Sequence, residues 1–175
     1  MRLRLNLCDV DVQLKIKNWH RPVRVEDWDE DWCDVELTLA SRYLNYSPSS
    51  GILMCGEVLG LCGSLEELLS GELKEDTHIW FAEPDLEFNL RVAKQLYDIS
   101  GKVICHDDYK DADIDGDWII NFWCADGLGD NSFKMGLSRT DLEAICNYLK
   151  YVVGRCSCDD SSIAAMLKNG TMLPE

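Results

Sequence analysis

The run Asp111-Ala112-Asp113-Ile114-Asp115-Gly116-Asp117 has the residue types of a calcium loop. Alternating carboxylates offer hard oxygen ligands, and the glycine falls where such a loop turns sharply. The twelfth position, which should supply a bidentate glutamate, is Phe122, and the flanks are patterned as strand rather than helix. Too few oxygens then converge for tight binding. The run is expected to be an acidic turn before a strand, with no metal at Asp111, Asp113 or Asp115. Nine cysteines offer a second chemistry, soft ligation or redox exchange. Their number is odd, no Cys-x-x-Cys occurs, and the nearest pair is Cys156-Ser157-Cys158. His20, His78 and His106 are far apart in sequence. In a reducing compartment such cysteines read as small buried hydrophobes, and no disulfide is expected. The chain lacks G-x-S-x-G, a Gly-rich phosphate loop and H-E-x-x-H, so neither a cofactor nor catalysis is expected.

The densest chemical signal is charge beside aromatic rings. Val25 to Leu37 holds seven carboxylates, two tryptophans and no positive charge. Cys33, Val35, Leu37 and Leu39 alternate with Asp34, Glu36 and Thr38, so an acidic loop runs into a half-buried strand whose outer face is also acidic. Trp32 shares the parity of that acidic face. One interpretation is a solvated loop with both indoles folded over the core. The other is a rigid acidic surface with an aromatic anchor, formed by Asp27, Trp28, Asp29, Asp31, Trp32, Asp34 and Glu36, that suits a basic protein partner.

Composition narrows the partners. Across 175 residues, 32 acids against 17 bases leave a net charge of −15, a field that repels nucleic acid and anionic membranes. Residues 1–24 are the exception, with six bases and two acids, and they are placed to pair with the acidic stretch that follows. The chain is 46% hydrophobic, enough for a sizeable core, and its length suits one domain. No segment reaches the ~18 apolar residues of a membrane span, and the alternating start Met1-Arg2-Leu3-Arg4-Leu5 is not a signal peptide. A cytoplasmic location is expected.

These side chains must be held by elements of two periods. Leu3–Leu7 and Val10–Ile16 alternate with a phase slip at Cys8-Asp9, the pattern of an antiparallel hairpin. A strand at 33–40 has Arg42–Tyr46 as its expected partner. Val58, Leu61, Cys62, Leu65, Leu68 and Leu69 recur at helical spacing. Gly56, Gly60 and Gly63 weaken the first half, and the Ser64–Glu67 capping box suggests that only 65–70 is firm, closed by Gly71. Strands are expected at His78–Phe81, Leu86–Val92, Leu96–Ile99, Val103–Cys105 and Phe133–Leu137. Trp118–Cys124 is apolar on both faces, as a central strand covered above and below would be. A helix capped by Ser138 or Thr140 buries Leu142, Ile145, Cys146, Leu149, Val152 and Val153, and Gly154 ends it. A short helix follows near Ile163–Lys168.

Three stretches then fall into a recognisable order. They are Asp27-Trp28-Asp29-Glu30-Asp31-Trp32 before a strand, Trp80 to Phe88 after a helix, and Phe133 to Leu142 leading into the last long helix. Order and spacing resemble the WapI-type family of bacterial immunity proteins, most specifically at Glu83-Pro84-Asp85-Leu86-Glu87-Phe88. The resemblance covers roughly residues 3–155, with 156–175 as a short C-terminal extension of a single domain. It implies a non-catalytic protein that binds the cognate toxin domain of a secreted contact-dependent toxin, often a basic nuclease domain. Cys33 departs from the apolar residue expected there. The expected fold is α+β, mainly a twisted antiparallel sheet with two main helices against it. The alternatives are an acidic binding module of unrelated role, one form of which depends on calcium, and then an enzyme.

Overall fold

A computed structural model of the chain describes residues 1–22, 31–47, 51–92, 114–122 and 131–174. The fold is α+β. Its first strands are β1 (Arg2–Leu7), β2 (Val10–Lys17), β3 (Asp34–Ala40) and β4 (Asn45–Tyr46). The phase slip between β1 and β2 is a two-residue turn. Cys8 and Asp9 both take positive φ, 52° and 64°, as the turn that matches strand twist demands at both central positions. Leu3, Leu5 and Leu7 then lie opposite Leu14, Val12 and Val10, and β3 continues the layer with Val35, Leu37 and Leu39. All of these side chains are buried. A two-residue strand, β9 (Met172–Leu173), adds to β1, so this sheet runs β4-β3-β2-β1-β9.

The remaining strands form a separate antiparallel sheet. It consists of β5 (Thr77–Trp80), β6 (Leu86–Arg91), β7 (Asp115–Phe122) and β8 (Asn131–Leu137), paired in that order. Among the described residues the antiparallel strands are therefore divided between two sheets, and three helices pack with them: α1 (Cys55–Ser70), α2 (Arg139–Val152) and α3 (Ser161–Asn169). Helix α2 joins the halves, touching β1 on one side, β7 and β8 on the other, and both other helices. Its Tyr148 is fully buried, and its hydroxyl accepts a hydrogen bond from the Ile16 amide at 2.8 Å, just past the last β1–β2 pair. A buried amide that had outrun its ladder is thereby satisfied. The tail is built into the core as well. Ile163, Met166 and Met172 are buried, and the Arg4 amide donates to the Thr171 carbonyl at 2.7 Å.

Two sequence expectations change in detail, at α1 and β7, and one left open, the cap of α2, is decided. Helix α1 is 16 residues long and begins at Cys55, not near Leu65. Its glycines do not break it, because Cys55, Val58, Leu61, Cys62, Leu65 and Leu68 are buried along one face and packing outweighs propensity. Gly71 ends it in the left-handed conformation, φ 78°, as expected. Ser138, not Thr140, caps α2, and Asp141 returns the bond to the Ser138 amide at 2.9 Å. β7 is central, but it is not covered on both faces. Trp118 and Ile120 point into the core, while Asp117 and Ile119 belong to the outward face. The strands expected at Leu96–Ile99 and Val103–Cys105 lie outside the described residues.

Candidate partner interface

Of the residues nominated from sequence, Asp27, Trp28 and Asp29 lie outside the described part of the chain. Asp31, Trp32, Asp34 and Glu36 are placed. The segment 31–33 runs antiparallel to 53–55 in a short bridge. Trp32 faces Met54, the Cys33 amide donates to Leu53 at 2.9 Å, and the Cys55 amide donates to Asp31 at 2.7 Å. Residues 31–33 are thus stapled to the start of α1. Trp32 is half-buried there, so part of its indole stays accessible. The Asp31 carboxylate lies 3.1 Å from His20 Nε2 and, with Pro22, Met54, Gly56 and Glu57, lines a small recess. The Asn18 carbonyl, and then Asp31, hold the His20 pKa above its ordinary value. Beneath the bridge the Cys33 and Cys55 thiols meet at 3.5 Å. Burial, and then Cys55, push the Cys33 thiol up, so it stays protonated at neutral pH.

The acids farther along β3 are answered by their own chain. Asp34 stands opposite Lys17 and accepts from the Asn18 amide group. Glu36 is bound by Lys17 and, at 2.9 Å, by Arg2. The bond from Lys17 is the main reason its pKa is lowered. On the same face Arg4 holds Asp11 at 2.7 Å, and Gln13 bridges Arg2 and Asp11. The basic hairpin does pair with the acidic strand: Arg2 and Lys17 mute Glu36, while Asp34 is held by the neutral Asn18 amide.

The outward face of the second sheet is also networked. Asp117, 4% exposed, receives Arg91 at 2.6 and 3.2 Å and Lys134 at 2.7 Å. The Arg91 bond, against the cost of burial, holds its pKa down at about 2. Asp115 is bound to Arg91, so it belongs to the strand network; Asp111 and Asp113 lie outside the described residues. Glu87 accepts from Asn121 at 2.8 Å and from His78 at 2.7 Å, and the Asn121 bond is the first cause of its lowered pKa. Among the described residues, no group of three or more His, Cys, Asp or Glu side chains is arranged to hold a metal ion.

Two functional candidates escaped the sequence. Glu57, near the start of α1, accepts from the Met54 amide at 2.8 Å and from the Ala82 amide at 2.6 Å. One carboxylate therefore ties the Trp32 bridge to the β5–β6 turn. Trp80, at the end of β5, is 73% exposed, although its neighbour Phe81 is buried edge-on against Phe88 at 6.3 Å. The available signal was the parity of Trp80 with His78 opposite Phe81.

The chain matches the family model described as "Immunity protein WapI-like family" over residues 6–156. It belongs to that family. None of the curated proteins compared with the chain matches it. The family match begins near the end of β1, takes in β2 to β8, α1 and α2, and stops before α3 and β9. Members of an immunity family protect by engaging a protein toxin, so the surface to seek is one for a protein. No described helix is long and apolar enough to cross a membrane.

Proposed function

We propose that this WapI-like immunity protein binds a cognate toxin domain stoichiometrically in the cytoplasm and neutralises it without catalysis. The observation that carries this reading is the family match across residues 6–156. The net charge of −15 supports a basic toxin domain, such as a nuclease with a phosphate-holding groove, over nucleic acid or an anionic membrane. In this reading the acidic lead supplies the contact. Asp27, Asp29 and Asp31 steer the encounter, Trp28 or Trp32 anchors it, and Asp34 and Glu36 form a rim whose charge is partly spent on Lys17 and Arg2. Charged rims govern mainly the association rate, whereas a desolvated indole governs dissociation.

The test uses the C-terminal domain of the cognate secreted toxin, with its activity silenced by mutation. The immunity protein should bind it one to one, and co-expression should rescue growth from the active domain. Reversing Asp31 and Asp34 to lysine should slow association and flatten its salt dependence with the fold intact. Binding that survives this reversal at low salt would move the interface away from the acidic lead. Failure of the wild-type pair to bind would remove the toxin reading itself.

A further inference from the structure

We infer that the β5–β6 hairpin is a second contact element for the same partner, with Trp80 as its anchor and the hairpin carboxylates as its rim. This rests on the toxin-binding reading above and adds the surface it uses. Trp80 and Tyr43 are the large hydrophobic side chains left exposed among the described residues, at 73% and 87%. They differ in setting. The Tyr43 ring already carries the Arg42 guanidinium over its face at 5.5 Å. Trp80 lies on an edge strand, on the outward parity, with Glu87 directly across from it.

Rigidity makes this indole suited to binding. Every residue of β5 pairs with a residue of β6, and the Phe81 ring locks the backbone beneath it against Phe88. Glu87 is held by Asn121 and His78. An exposed aromatic on a fixed backbone gives up little conformational freedom when a partner covers it. Tryptophan is also among the residues enriched at energetic hot spots, where surrounding contacts exclude water.

Charge defines the partner. From Glu72 to Arg91 the chain carries six carboxylates and two bases. Glu83, in the turn just beyond Trp80, is exposed. Such a rim is complementary to a basic protein surface and repels phosphate backbones. Position then links this element to the acidic lead. The Ala82 and Met54 amides both lie within 2.8 Å of the Glu57 carboxylate, and Met54 is paired with Trp32. A standard interface covers about 800 Å² per partner, broad enough to take in both sides of that clamp.

The silenced cognate toxin domain is the probe, and rate constants are measured for wild type and single variants. Trp80→Ala should speed dissociation by about 30-fold while leaving association within about twofold, as truncating a central anchor does. Glu83→Lys should slow association at low salt, with the effect fading at high salt. Tyr43→Ala should change neither rate. Near-UV circular dichroism and melting of each free variant confirm the fold, which an exposed side chain does not support. If Trp80→Ala dissociates within about twofold of wild type while Trp32→Ala dissociates faster, the hairpin is not a contact and the toxin reading stands. If wild type does not bind the domain, that reading falls and this inference falls with it.

Discussion

The two sheets present outward faces built in opposite ways. On the first, opposite charges meet near the surface: Glu36 is 47% exposed, and its partners Arg2 and Lys17 are 37% and 39% exposed. On the second, the central acid is sunk beneath its partners, with the Asp117 side chain 6% exposed below Arg91 and Lys134. The first arrangement cancels field but adds little stability, because water solvates exposed ions well and salt screens them. The second fixes the sheet, because a covered carboxylate has few alternatives to its bonds. The difference teaches where recognition can reside. The acidic strand has largely answered its own charge, whereas the second sheet is a stiff platform that leaves an indole and an acidic turn outside.

The sharpest way to break this comparison is to loosen the platform. A Cβ placed on Gly116 would lie 2.6 Å from the Asn89 backbone oxygen, which cannot yield without displacing β6. Gly116→Ala should therefore destabilise the protein by about 3 kcal/mol, read from the denaturation midpoint. An unchanged midpoint would mean that the second sheet is not rigid.

Asp117→Asn should cost roughly 2 kcal/mol at pH 7, the equivalent of lowering its pKa from 3.8 to about 2. Because the folded-state pKa is depressed, this stabilisation is complete above pH 4 and is lost as pH falls through 2. The stability curves of wild type and variant should converge at the acid end. Parallel curves would show that Asp117 does not act through its charge.

Tyr148→Phe tests whether the halves are coupled through α2. Removing the hydroxyl strands the buried Ile16 amide and should cost about 1–2 kcal/mol. Hydrogen exchange should quicken at Ile16, in the first sheet, although the substitution lies in α2. Protection unchanged at Ile16 would place its satisfaction elsewhere.

The smallest effect belongs to the first sheet. Glu36→Gln should barely move the denaturation midpoint, and any shift should vanish in high salt. A loss as large as that at Asp117 would erase the contrast between the faces.

Periodicity and local capping made much of the fold legible. Alternation placed β1, β2, β3 and β6, and the spacing from Leu142 to Leu149 placed α2, because each pattern needs only a face to bury. The family was legible too, in the order of its three stretches. Long-range partners decided the rest. Whether Gly56, Gly60 and Gly63 ended α1 depended on what packed against its apolar face, and β9 was too short to signal anything without β1 beside it. The acidic character of β3 was evident from sequence, as was the suspicion that a basic hairpin would meet it. That Lys17 and Arg2 converge on Glu36, and Asn18 on Asp34, required the register. Trp80 ends β5 and Phe81 follows it directly; parity sets the two side chains on opposite faces without saying which face is buried. The aromatic ring of Phe88, against which Phe81 packs edge-on, made that choice: an extended chain sends neighbouring side chains to opposite faces, and only the tertiary structure fills one of them.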